Sequence, residues 1–367
     1  MRLATFNVEN LFSRPAAMNL ESWAEGRPVL DDVAALAALL AKTTYDDNNK
    51  AQITEILDRY GFGDRDRRNR PFTIQQVREK LFTVPPGSDR VRVVANGRAD
   101  WVGWIDLVRE DLPGDQIVNT GRVITAVEPD VLCIVEVEDR IALDRFNRQV
   151  LGNEFGNAFK FDLLIDGNDP RGIDIGLLSH HRITSICSHI HDVDAEGRIF
   201  NRDAPEYEIE LTDDQRLWVI GNHFKSKGYG DQAANDARRR RQAEQVRSIY
   251  LQRRERFDFV AIVGDLNDVP TSEPLEPLVT GTDLRDVSLH PDYDDQGRPG
   301  TFDTGRPEQK IDYILLSPAL WERVQGAGIE RRGIYAPRTF PHFPEVTSDR
   351  NSASDHAALW VDLDLGV

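Results

Sequence analysis

Short runs of apolar, mostly β-branched residues recur along the chain, and each ends in a turn former or an unexpected polar residue. The pattern predicts strands over Leu3–Val8, Val131–Val135, Ile173–Ser179, Glu206–Leu211, Leu217–Asn222, Phe259–Gly264, Ile311–Leu316 and Ala357–Leu363. Helical periodicity is clearest in three places. Asp31–Lys42 places Val33, Leu36, Leu39 and Leu40 on one stripe, Asp115–Val127 does the same with Ile117, Val118, Ile124 and Val127, and Ala233–Phe257 carries Ala243, Val246, Ile249 and Tyr250 on an otherwise charged helix. Strands and helices mix without strict alternation, so an α/β or α+β sandwich is expected in preference to a doubly wound sheet.

Residues 14–110 break the pattern. They hold an Arg/Asp-rich, turn-like stretch from Gly61 to Arg70 and an expected hairpin of Val91–Val94 and Trp101–Val108 around Asn96-Gly97. The first strand has no partner nearby in sequence, so this block reads as an insertion within a single body of residues 1–367. It is expected to serve as a lid, a substrate wall or a packing embellishment.

Composition narrows the function classes. The 367 residues carry a net charge of −17, which argues against a protein that coats nucleic acid non-specifically but not against one that gathers cations at a cleft. No apolar run is long enough to span a bilayer. Cys133 and Cys187 both fall in apolar segments and are expected as buried thiols, not a disulfide framework. The chain opens directly on a strand pattern without a signal-peptide core, so it reads as cytoplasmic, or as an exported protein whose signal has been removed.

The strand ends carry the chemistry. Asn7 and Glu9 lie two apart, hence on one face of an extended chain. Glu136 ends the run from Val131, Asn222-His223 ends the run from Leu217, and Asp265 and Asn267 end the run from Val260. Asp312 opens another apolar run, and Ser354-Asp355-His356 precedes the last one. Carboxylates, carboxamides and imidazoles without a thiolate cluster make an oxygen-rich site suited to Mg²⁺ or Mn²⁺, with Ca²⁺ as a further candidate, and unsuited to structural zinc.

In this order, Asn7-Val8-Glu9, Glu136, Asn222-His223, Gly264-Asp265-Leu266-Asn267, Ile311-Asp312-Tyr313 and Ser354-Asp355-His356 resemble the endonuclease/exonuclease/phosphatase superfamily, to which pancreatic deoxyribonuclease belongs. The resemblance covers residues 1–13 and 111–367. Asn222-His223-Phe224-Lys225-Ser226-Lys227 followed by Arg239-x-x-Gln242-Ala243 is similar to a bacterial nuclease-like branch. The resemblance implies a four-layer α/β sandwich of two packed mixed sheets with a large insertion after the first strand. It also implies roles: Glu136 with Asn7, Glu9 and Asp355 for the metal; Asp265 with Asn267 to orient and deprotonate water; His356, fixed by Asp312, on the phosphate. Asn222 would hydrogen-bond the phosphate and His223 would protonate or stabilise the leaving group. Val135 stands where many relatives have Gln, and Ala357-Ala358 where they often have a basic residue or proline.

Candidate substrate contacts are uneven along the chain. Arg171 and Asp174, in Asp169-Pro170-Arg171-Gly172-Ile173-Asp174, would line the cleft or form a structural turn. Lys225, Lys227 and one of the four consecutive arginines, Arg239, would form a positive rim for phosphate oxygens. The expected activity is divalent-metal-dependent phosphodiester hydrolysis, with short or single-stranded nucleic acid as the favoured substrate and no obligate protein partner. A phosphatase or phosphodiesterase of small phosphates or lipid headgroups is the alternative, followed by a non-catalytic binding protein of the same fold.

Overall fold

The computed structural model describes residues 1–11, 23–64, 70–108, 114–169, 171–228 and 231–366. Residues 65–69 of the Arg/Asp-rich stretch and Pro170 lie outside the described residues. The chain divides into two compact units, residues 1–12 with 112–367, and residues 13–111.

The larger unit is built on two mixed sheets. One orders its strands Tyr293–Asp294, Val324–Glu330, Ala358–Leu363, Arg2–Leu11, Val131–Val137, Asp174–Ser179 and Phe161–Leu164. The other runs Arg285–Asp286, Asp312–Leu316, Val260–Asp265, Gln215–His223, Glu206–Thr212 and Ile183–Cys187. Side chains alternate across each strand, and here both faces are buried. Leu3, Val131, Cys133, Val135 and Ile175 of the first sheet meet Leu217, Val219, Ala261, Val263 and Ile314 of the second in one inter-sheet core.

Alternate residues face outwards into helices. Ala4, Phe6, Leu132 and Ile134 pack with Val123, Ile124 and Val127 of the Asp115–Val127 helix. Trp218, Ile220, Val260 and Ile262 pack with Ala243, Val246, Ile249 and Tyr250 of the Gln232–Arg254 helix, whose N-cap Asp231 accepts from the Ala234 N–H. Helix, sheet, sheet and helix make the four layers expected from the sequence.

Residues 13–111 carry a core of their own, in which Leu36, Ile53, Leu57, Phe72, Leu81 and Trp101 are buried together. Its helices are Trp23–Leu40 and Asp47–Arg59. The expected hairpin is not formed. Val102–Leu107 pairs with Phe72–Arg78, and Arg92–Val93 pairs with Phe82–Thr83. Gly97 is extended, not in a turn, and a Cβ there would lie 1.9 Å from Thr43 O, so the glycine serves close approach to the loop after the first helix. The thiols also differ: Cys133 is buried, while Cys187 is only half-buried, and both are free.

A buried ion network ties the end of the Gln232–Arg254 helix to the second sheet. The Glu206 carboxylate receives Trp218 Nε1 at 2.6 Å, Arg253 Nε at 2.5 Å and Nη2 at 2.8 Å, and it contacts His189 Nε2 at 2.9 Å. Burial alone would raise the Glu206 pKa, but the bonds from Arg253, His189 and Trp218 outweigh it and hold the group at about 2. A group with a depressed pKa adds stability above its ordinary value and loses it as pH falls towards the folded value. Glu206→Gln is therefore expected to lose about 2–4 kcal/mol in urea unfolding at pH 7, with the gap to wild type shrinking at pH 3. A gap that stays constant from pH 7 to pH 3 would contradict the assignment.

Candidate active site

The inward-facing alternation of the two sheets continues past the apolar core and delivers the polar residues. Leu3 and Thr5 lead to Asn7, Leu217 and Val219 to His223, Ala261 and Val263 to Asp265, and Leu316 and Ile314 to Asp312. Strand pairing sets three of them side by side: His223 is opposite Asp265 in a parallel pair, and Asp265 opposite Asp312 in an antiparallel pair. All three are almost completely buried.

Irregular backbone completes the rim. The pairing of the first strand with Val131–Val137 shifts register between Asn7 and Leu11, and Val135/Val137 shifts against Asp174–Ser179. Glu9, Glu136 and Asn267 all sit in the left-handed region, at φ 47, 69 and 54. Each costs about 1–2 kcal/mol for a residue with a Cβ. Bulges of this kind re-aim side chains, and here they bring round Glu136, which simple alternation from Val135 would face outwards.

Asp265 is the hub. Its Oδ1 accepts the Asn267 N–H at 2.7 Å, and its Oδ2 accepts Asn267 Nδ2 at 3.0 Å and Asn7 Nδ2 at 3.3 Å. The same Oδ2 is 3.9 Å from His223 Nε2 and 4.0 Å from His356 Nε2. His356 Nδ1 meets Asp312 Oδ2 at 2.9 Å. Ser354 locks the segment, accepting from His356 N at 2.9 Å and donating to Asn7 O at 2.7 Å.

Burial and neighbouring charge shift these groups. Burial, then the nearby Asp312, raises the Asp265 carboxyl. Burial would lower His356, but Asp312, Asp265 and Asp355 override it and push the imidazole up to about 10, so it is cationic at neutral pH. His223 is depressed by burial and by Arg202 and His356, so it is neutral there. A neutral imidazole can hydrogen-bond and so stabilise a leaving oxygen, one of the two roles expected of His223; it holds no extra proton for the other.

The expected metal residues also converge. Glu136 Oε1 lies 3.6 Å from His223 Nε2, and the Asn7 side chain is near enough to favour the ionised form of Glu136. Glu9 Oε2 accepts the Asp355 N–H at 3.0 Å, and Asn7 Oδ1 accepts the Glu9 N–H at 3.1 Å. Burial raises Glu9, to about 7, together with Glu136 and Asp355. Three carboxylates that burial and mutual charge hold back from ionising make an oxygen-rich set that fits a hard divalent cation. Asp265, Asp312 and His356 additionally bring ligand atoms within 4.8 Å of one another.

Other candidates lie where the sequence did not foresee. Arg239 is fully buried, with Nε to Asp268 Oδ2 at 3.0 Å, Nη1 to Lys225 O at 3.0 Å and Nη2 on Asp236, so it braces Lys225 and does not reach a cleft. Lys227 pairs with Asp268. Asn222 is fully buried, its Nδ2 donating to Ile220 O at 3.0 Å. Asp174 is buried against the Gly167 N–H at 2.9 Å, and burial raises its pKa to about 7. Arg171 grips Asp169 through Nε at 3.0 Å and Nη2 at 2.8 Å.

Arg202 carried no sequence signal, because it falls in irregular chain before the Glu206–Thr212 strand. It is 2% exposed, donates Nη1 to Phe224 O at 3.2 Å and lies 3.3 Å from Asp169. Phe224 O also accepts Asn267 Nδ2, which places Arg202 beside the hub. Its charge acts on Glu136 and His223.

The profile described as "Endonuclease/Exonuclease/phosphatase family" matches residues 91–356. No curated protein sequence matches the chain. Among solved structures, the Bacteroides thetaiotaomicron mannosyl-6-phosphatase is similar at a TM-score of 0.50 and 16% identity, covering 69% of this chain and 91% of that one. Beta toxin from Staphylococcus aureus gives a TM-score of 0.49 at 16% identity, covering 68% of this chain and 93% of its own. The human nocturnin catalytic domain gives 0.48 at 16%, covering 68% and 86%.

Gly264 fixes the hub's approach. Its φ is +126, and a Cβ would lie 2.0 Å from Asn222 O on the paired strand. Gly264→Ala is expected to cost about 3 kcal/mol or more by chemical denaturation. Gly297→Ala, at φ +75 with nothing within 4 Å, is expected to cost about 1 kcal/mol. Equal costs at the two sites would refute the close-approach argument.

Proposed function

The chain belongs to the endonuclease/exonuclease/phosphatase family and is a phosphoester hydrolase, and we propose that it is a divalent-metal-dependent phosphodiesterase acting on short or single-stranded nucleic acid. The observation that carries this reading is Asp265 facing the Asp312–His356 pair across 4.0 Å, with Glu136 at the same rim. In-line displacement at phosphorus needs positioning and charge stabilisation more than covalent chemistry, and this rim supplies both.

Asp265, raised by burial, takes the proton of the attacking water, which Asn267 and Asn7 help to orient through the same carboxylate. His356, cationic and held at Nδ1 by Asp312, turns Nε2 to a nonbridging phosphoryl oxygen. Neutral His223 donates a hydrogen bond towards the leaving oxygen. Glu136, Glu9, Asp355 and Asn7 would hold Mg²⁺ or Mn²⁺, which when bound polarises the phosphoryl group and offsets charge on the leaving oxygen.

The phosphodiester and nucleic-acid parts rest on the cations. Lys225 is depressed by burial and then by Arg202, Arg171, Arg239 and Arg238, so it sits among four guanidinium groups, of which Arg171 and Arg202 share Asp169 and Arg239 pairs with Asp268 and Asp236. On a chain of net charge −17 such a cluster has a use if a phosphate beyond the scissile one relieves it.

With Mg²⁺ or Mn²⁺, the protein is expected to cleave bis-p-nitrophenyl phosphate and single-stranded oligonucleotides, and EDTA to abolish both. Asp265→Ala and His356→Ala are expected to lower kcat by about 10³-fold or more with the fold retained. Lys225→Ala and Arg171→Ala are expected to raise KM for the oligonucleotide while leaving the small diester almost unaffected. Hydrolysis of sugar or lipid phosphates in preference to oligonucleotides would overturn the substrate assignment, and full activity of Asp265→Ala would overturn the site.

A further inference from the structure

Asp312 holds His356, but something must hold Asp312. Thr301 lies outside every motif discussed above and is 1% exposed. Its Oγ1 accepts the backbone N–H groups of Ile311 at 3.1 Å and of Asp312 at 3.0 Å. Those two donors take up the lone pairs of the hydroxyl, so its single proton must go elsewhere. Two acceptors are in reach, Asp312 Oδ2 at 2.6 Å and Gln309 O at 3.4 Å. The shorter contact is the better hydrogen bond by a wide margin. The hydroxyl therefore has a fixed polarity and donates to Asp312 Oδ2, the oxygen that also meets His356 Nδ1 at 2.9 Å.

Thr301 reaches the other member of the pair through its backbone. Its carbonyl accepts the Ala357 N–H at 2.7 Å, next to His356. The following Phe302 bridges to His356 as an isolated antiparallel pair, and its ring lies 4.9 Å from the imidazole. Asp303 N donates to Asp355 O at 2.8 Å. One short segment thus grips the carboxylate by a side chain and the imidazole by a ladder. Buried Lys310 adds a brace from below, donating Nζ to Asp312 O at 2.6 Å while lying 3.1 Å from Asp286.

We infer that Thr301 is a positioning residue, whose hydroxyl sets the plane of Asp312 and through it the aim of His356 Nε2. The inference rests on the phosphoester-hydrolase reading only for its kinetic consequence, since the geometry of the pair is independent of substrate. Outer partners of this kind typically alter rates by 10–100-fold when removed.

The test compares Thr301→Val with Thr301→Ser in the full chain, using bis-p-nitrophenyl phosphate with Mg²⁺ and, separately, the His356 Nδ1 proton by NMR at pH 7. Thr301→Val is expected to lower kcat by about 30–100-fold with KM within threefold, and to broaden or move the Nδ1 proton signal. Thr301→Ser is expected to restore kcat to within threefold of wild type and to return the signal. Should the valine variant not fold, Thr301→Cys, a poor donor of similar size, takes its place with the same expectations. A folded valine or cysteine variant with wild-type kcat and an unchanged Nδ1 signal would overturn the inference, as would a serine variant no better than valine. Failure of the hydrolase reading shows differently: wild type and His356→Ala would hydrolyse alike, while the Nδ1 signal would still report on Thr301.

Discussion

The packing of two sheets face to face is the constraint from which the site follows. Positions two apart on each inner strand must be apolar while they lie between the sheets. At the rim the same positions become Asn7, His223, Asp265 and Asp312, buried by the sandwich that aims them. No separate scaffold is needed, because the core and the site are successive residues of one alternation. Pairing register then decides which groups face each other, His223 with Asp265 and Asp265 with Asp312.

Concentrating ionisable groups this way has an electrostatic cost, and the distribution of that cost organises the chemistry. Burial raises Asp265, Glu9, Glu136 and Asp355 alike. Burial would lower both imidazoles, but His356 is raised because Asp312, Asp265 and Asp355 outweigh burial, whereas His223 becomes neutral because burial is reinforced by the charges of Arg202 and His356. Two imidazoles at one rim thus differ in charge through their partners alone. On the Glu136 side, His356 and Arg202 offset part of the raised carboxyl, and Glu136 and Asp265 in turn act on Arg202.

Much of this was legible in the sequence. A carboxylate or amide ending an apolar strand is a local signal: alternation finds Asn7, Asp265 and Asp312, and Glu136 stands out only as the carboxylate that closes its apolar run. The left-handed backbone at Glu9, Glu136 and Asn267 could not, since non-glycine residues give no sign of it. Arg202 and Thr301 were missed because each lies in irregular chain and acts on a residue of another segment. Arg239 was misplaced because helical spacing tells which residues share a face but not whether that face meets substrate or Asp268. The hairpin at Asn96-Gly97 failed for a related reason: both flanking strands found partners earlier in the chain, and the glycine serves contact with Thr43.

The proposed function requires one rim to hold the cation and the phosphate together, with Glu136 on one side and the Asp265–His356 gap on the other. A crystal structure with Mn²⁺ and a phosphorothioate dinucleotide, read by manganese anomalous scattering, tests it most directly. The anomalous peak is expected on the Glu136 carboxylate and the phosphorus between Asp265 and His356 Nε2. Manganese bound away from Glu136, or the phosphate seated away from His356, would contradict it.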